Sequence, residues 1–248
     1  MSGHESPVSI PVANCSLCPF RGKTLLTGRC MPGDTCVFVE SGRQIDRFFR
    51  VNPAYAERYL HDNFWERRAI AVRYAPQKLL AELIQDDDEV VRRAVAYRIP
   101  IAQLNAFIND PDREVRMTVA DRIALDDLEK LVNDPDYIVR LTVARRLSPG
   151  RLFRLIRDPD SEVRKVVAER LPEVSLGLMA QDEAPEVRRM VAERMSASDA
   201  IILLNDPDWV VRYTAVQRVK SEALSGLIND PAPDVREAVL KRLGYDKK

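Results

Sequence analysis

Glycine is scarce in this chain, with nine residues in 248, and so there is little material for loops that cradle phosphate. Histidine is scarcer still: His4 and His61 are the whole supply, and neither has a nucleophile evidently beside it. No P-loop, G-x-G-x-x-G, H-E-x-x-H or G-x-S-x-G occurs, and the radical-enzyme spacing C-x3-C-x2-C is missing as well. The chain reads as a binding protein, not an enzyme. An excess of one charge is also lacking, because 38 Lys plus Arg offset 38 Asp plus Glu. That balance leaves no whole-protein basic footprint and disfavours a nucleic-acid partner. No run approaches the roughly 18 uninterrupted apolar residues of a membrane span, and MSGHESPVSIPVA has neither the charged start nor the apolar core of a secretory leader. The expectation is a soluble cytoplasmic protein with no membrane partner.

What is present is repetition. Val-Arg recurs at 91–92, 115–116, 139–140, 163–164, 187–188, 211–212 and 235–236, a constant 24-residue step. Seven units begin at Leu80, Leu104, Leu128, Leu152, Leu176, Ala200 and Leu224, with a degenerate eighth around Tyr55 to Tyr74. A fixed period of this length means a solenoid of stacked units. In LFRLIRDPDSEVRKVVAERLPEVS, residues 152–175, Asp158 and Pro159 read as an N-cap and first helical residue. Val163, Val167, Ala168 and Leu171 then form one apolar stripe at helical spacing. About thirteen of the 24 residues are thereby used, and a second full helix does not fit. Leu152, Leu155 and Ile156 suit a single tight turn of α or 3₁₀ type. The fold class is all-α, one helix plus one short 3₁₀ turn per unit. DDDE at 86–89 occupies the helix-start slot, where acids complement the dipole.

Two arginines recur in every unit, at the positions of Arg164 and Arg170. With Val163 as origin, Arg164 falls at about 100°, inside the apolar arc, and Arg170 at about −20°, on its flank. The Arg164 stem should be packed inside with its guanidinium on helix-end carbonyls or on the Asp158-type carboxylates of its own or the next unit. Arg170 should pair at the rim. Internal bracing, not a ladder for phosphates, is the expected use. On the opposite face Tyr137 with Leu141 and Trp209 with Tyr213 would form outward apolar pairs, candidate anchors for a protein partner.

All the cysteine lies in CSLCPFRGKTLLTGRCMPGDTC, residues 15–36. Cys15, Cys18, Cys30 and Cys36, spaced C-x2-C-x11-C-x5-C with no interleaved histidine, read as one four-thiolate metal site. The irregular second pair suits an iron–sulfur cubane better than two zinc knuckles, and Arg21, Lys23 and Arg29 would offset an anionic cluster. From the residues alone a cluster, a zinc ion that caps the repeats and a disulfide pair all remain open.

The 24-residue period combined with this cysteine set resembles the leucine-rich-repeat-variant family, from Cys15 to about Lys248. The resemblance implies a [4Fe–4S] cluster on the four cysteines and a right-handed superhelix of alternating α and 3₁₀ helices. The expected division is a cluster segment at 1–54, a degenerate capping repeat at 55–79 and seven repeats at 80–248. Two functions follow as expectations: a protein-interaction scaffold with a redox- or oxygen-sensitive cluster, or a nucleic-acid-binding solenoid. The charge balance favours the first.

Overall fold

The computed structural model describes residues 10–245, so His4 lies outside the described residues. The chain divides into two compact units, Met1–Ala124 and Leu125–Lys248. The first holds helices α1 (Gly42–Val51), α2 (Trp65–Tyr74), α3 (Glu89–Arg98) and α4 (Arg113–Arg122). Between them run 3₁₀ segments Pro53–Tyr59, Gln77–Leu83 and Ile101–Phe107. The second holds α5 (Tyr137–Arg146), α6 (Ser161–Arg170), α7 (Pro185–Arg194), α8 (Trp209–Arg218) and α9 (Pro233–Arg242), again alternating with 3₁₀ segments such as Pro149–Leu155 and Glu173–Met179. The architecture is an all-α array of α plus 3₁₀ units. The 3₁₀ stretches reach seven residues where a single turn was expected.

The α-helices are ten residues long and start later than the Asp-Pro pairs suggest. Asp158 is not the cap. Asp160 is, with extended backbone (φ −94°, ψ 127°) and its carboxylate accepting from the Glu162 N–H at 2.9 Å. Asp88, Asp112, Asp136 and Asp208 cap α3, α4, α5 and α8 in the same way. In α7 and α9 an alanine, Ala184 or Ala232, stands at that position, and Pro185 or Pro233 opens the helix where no N–H is needed. α6 ends at Arg170 because Leu171 precedes Pro172 and is held extended.

A helix this short has no stability of its own in water, so packing must supply it. Val163, Val167, Ala168, Leu171, Leu152 and Leu155 are all buried, as the apolar stripe requires. Each full burial of a Val or Leu is worth about 1.5–3 kcal/mol.

Both arginine columns brace. Arg164 donates Nε to Asp182 Oδ2 and Nη2 to Asp182 Oδ1, at 2.8 and 2.9 Å, and Nη1 to the carbonyls of Asp158 and Pro159. One side chain therefore ties its own connection to the next one. The same fork joins Arg68 to Asp86, Arg92 to Asp110, Arg140 to Asp158, Arg188 to Asp206 and Arg212 to Asp230. The acid before each cap is thus reserved for an ion pair across units, which is the physical reason it does not cap. Arg170 differs from expectation: it does not pair at a rim but donates to the Ala144 carbonyl of the preceding helix, 2.5 Å away. Arg194 does likewise to Ala168 and Leu171, both at 2.7 Å. These guanidiniums satisfy carbonyls that the helix end leaves open and face the negative pole of its dipole.

The region from Pro53 to Tyr74, degenerate in sequence, has a full unit's geometry, including the Arg68–Asp86 fork. One helix earlier the arginine column holds Gln44 instead. Its Nε2 donates to the Pro11 carbonyl at 2.8 Å, which ties the incoming chain to α1.

Candidate metal centre

The cysteine segment is folded by turns laid against α1. A single π-helical turn, Arg21–Leu25, follows Phe20, and Arg29 N–H closes it onto the Thr24 carbonyl at 2.8 Å. Gly28 (φ 69°) and Gly33 (φ 80°) reverse the chain in the left-handed region, where other residues are strained. A tight turn bridges Met31 and Thr35, just before Cys36.

Three contacts dock this loop. Cys36 N–H donates to the Gln44 carbonyl at 3.2 Å, in the first turn of α1. Asn52, buried after the last turn, donates Nδ2 to the Arg29 carbonyl at 2.7 Å, and so holds the peptide that leads into Cys30. Phe20 inserts its ring among Phe38, Phe48 and Tyr55, with centroids 5.8, 5.1 and 4.9 Å away. Offset and edge contacts of this kind add about 0.5–1.5 kcal/mol each beyond burial. The segment thereby covers the fully buried Phe48 of α1, while Phe49 packs its ring against Tyr59 and Tyr74.

Cys30 and Cys36 are buried, Cys15 and Cys18 half-buried, and none forms a disulfide. Burial pushes the Cys30 thiol up to about 11, and the charges of Cys36, Cys18 and Cys15 push the same way. All four sulfurs therefore lie within electrostatic reach of one another. Burial also raises Cys36, while the backbone N–H groups of Phe38 and Val39 hydrogen-bond its sulfur and oppose that rise. Such N–H to sulfur bonds stabilise a thiolate. Arg21, Lys23 and Arg29 are exposed and make no ion pair among the described residues.

Among the described residues, no three His, Cys, Asp or Glu side chains converge tightly enough to grip one metal ion. A polynuclear core is broader than an ion and holds its thiolates farther apart.

Sequence reasoning placed the four cysteines together but missed Phe20, Gln44 and Asn52. Asn52-Pro53 carries a turn signal and nothing more, so its long-range bond to Arg29 had no local signature.

Comparison with known proteins agrees with this geometry. The family model "LRV protein FeS4 cluster" matches residues 11–58, and "Leucine rich repeat variant" matches residues 138–160. A solved structure described as a leucine-rich repeat variant with a novel repetitive protein structural motif is 60% identical. It covers 94% of this chain and 99% of its own, with a TM-score of 0.91. The chain belongs to the leucine-rich repeat variant family. A further relative, the "Uncharacterized 27.7 kDa protein in nifB 3'region" of Rhodobacter capsulatus, is 36% identical over 88 residues. This leucine-rich repeat variant protein spans 36% of that relative's length, and the match covers 36% of its own.

The N-terminal segment is thus an FeS4-cluster domain with four cysteines. The donor set fits that group. Four thiols charge one another unfavourably and need a polycationic core to be deprotonated together. Of the residues expected to point outward, Tyr137, Trp209 and Tyr213 stand exposed, while Leu141 is half-buried. His61 Nε2 lies 3.2 Å from Glu82 Oε2 in the open, a surface contact. No helix among the described residues is long and apolar enough to cross a membrane.

Proposed function

We propose that this protein is a protein-interaction scaffold whose [4Fe–4S] cluster, held by Cys15, Cys18, Cys30 and Cys36, is redox- or oxygen-sensitive and tunes binding by the repeats. The observation that carries this reading is the shared core: Asn52, Gln44 and Phe20 join the cysteine loop to α1 and to the 3₁₀ segment behind it. A change of state at the cysteines strains residues that position the first repeats. When bound, the cluster supplies one-electron redox chemistry. The chain's own part is to exclude water from Cys30 and Cys36, to donate two N–H groups to Cys36 and to leave Cys15 and Cys18 nearer the surface. The protein is not an enzyme in this reading, and its clustered thiols suit a reducing cytoplasm.

A nucleic-acid role finds less support, because both arginine columns are engaged internally and the net charge is +0. Anaerobic purification with a visible spectrum and metal analysis tests the cofactor; colourless protein with one bound zinc would sink the cluster assignment. Partner capture from lysate before and after oxidation, beside salt-dependent retention on DNA, tests the rest. Capture indifferent to oxidation removes the sensor, and retention on DNA that outlasts physiological salt removes the protein scaffold.

A further inference from the structure

The outward face of the repeats is interrupted at one place. At the column position occupied by Leu141 and Tyr213, α2 carries Ala69, and every later member of the column, from Arg93 to Glu237, is larger. The missing side chain opens a cleft of about 440 Å³ between α2 and α3, floored by Ala69, Val90 and Ala94 and walled by Tyr97. A second cleft, of about 400 Å³, opens between α1 and α2 over Gly42 and Ile70, beside Trp65. The two adjoin, since Ala69, Arg73 and Val90 line both. Trp65 and Tyr97 are exposed, at 39% and 67%.

The rim carries more arginine than acid, with Arg43, Arg73, Arg93 and Arg98 against Asp46 and Glu66. Of its two acids Asp46 is engaged, accepting from Tyr74 Oη at 2.8 Å and from Arg50 at 2.6 Å, while the Glu66 carboxylate lies beside Gly42. Three of its arginines are held more loosely. Arg43 forms no ion pair among the described residues, Arg73 lies 3.7 Å from Asp46 while largely exposed, and Arg93 reaches Glu114 only at 3.4 Å in solvent. Exposed pairs this loose are worth little and yield to a better acceptor.

We propose that these paired clefts are a docking site for an acidic amphipathic helix of a partner protein, which places one apolar anchor in each cleft and its carboxylates on Arg43, Arg73 and Arg93. The spacing supports the occupant. Packed helices lie about 8–10 Å apart, and residues i and i+7 of a helix lie about 10.5 Å apart along its axis. A helix crossing α1, α2 and α3 therefore presents i and i+7 to successive gaps. The inference rests on the scaffold reading and names the partner's chemistry and the seat it takes.

The test uses the full chain and a labelled synthetic helix with leucines at i and i+7 flanked by glutamates, against the same helix with lysines, by fluorescence anisotropy. The acidic helix should bind and the lysine helix should not. Ala69→Leu, which restores the side chain found at Leu141, should weaken binding about tenfold or more, the loss of one anchor. Arg73→Glu with Arg93→Glu should weaken it as much and flatten its salt dependence. Tyr97→Ala serves if Ala69→Leu misfolds by circular dichroism. Equal binding of the two helices, or no effect of any cleft variant, overturns the site. Binding lost instead through Trp209→Ala with Tyr213→Ala overturns it too, yet leaves the scaffold reading intact.

Discussion

Removal of one guanidinium from the ladder should cost far more than a surface substitution. Arg140 and Asp158 have side chains 10% and 2% exposed, and their fork is short, 2.7 and 2.9 Å. Arg140 Nη1 also donates to the carbonyls of Asp134 and Pro135 at 2.8 and 3.2 Å. In Arg140→Ala the Asp158 carboxylate keeps the Asp160 N–H, 2.9 Å away, and loses the guanidinium bonded to both its oxygens. Breaking one side of a buried pair costs about 3–5 kcal/mol. The outer edge of the rung reaches solvent, so the low end, about 3 kcal/mol, is expected. Arg140→Met retains the packed stem, and its difference from Ala isolates the stem's share. Asp158→Asn added to Arg140→Met should return about 1–3 kcal/mol, because a neutral amide still accepts from Asp160 and needs no counter-charge. Urea unfolding followed by circular dichroism reads the total, and hydrogen exchange in α5 and α6 places the loss, since repeat arrays unfold in pieces. A cost under about 1 kcal/mol, or an Asp158→Asn change that worsens Arg140→Met, would refute the bracing account.

The same ladder predicts acid sensitivity. The Arg212 hydrogen bond holds the Asp230 carboxyl below its ordinary 3.8, so its stabilisation is present above that pH and lost as pH falls through the lowered folded value. Urea midpoints should be level above about pH 4 and fall below it, with a shallower fall in Arg212→Leu. Cap variants should diverge in sign: Asp208→Ala should lose about 1 kcal/mol, while Ala184→Asp and Ala232→Asp should gain about 0.5–1 kcal/mol in thermal melts. Cluster removal should raise hydrogen exchange at Phe48, Phe49 and Tyr55 first, and Asn52→Ala should do so in part with the cluster still bound.

Period, element type and core stripe were legible because repetition averages away local ambiguity. Helix register was not, because DPD offers two carboxylates two residues apart and both can cap. What separates Asp158 from Asp160 is a guanidinium one unit away, outside any local window. A clue was nonetheless present: units five and seven keep Asp182 and Asp230 but carry Ala184 and Ala232, so the invariant acid must serve something other than the cap. Arg170 was misplaced for a related reason, since its acceptors belong to the preceding helix. The metal site was legible as a donor set. Its supports at Asn52 and Phe20 were not, as both act over more than twenty residues of chain.

Each rung joins an arginine to an acid eighteen residues on, and the pattern is the same at every step within the second unit. If residues 152–175 were excised, Arg140 would meet Asp182 in the setting where it now meets Asp158, and no charge would be orphaned. Arg236 keeps the Asp230 and Pro231 carbonyls and has no acid among the described residues. The number of units is therefore a variable that duplication and deletion can change without renegotiating the interior.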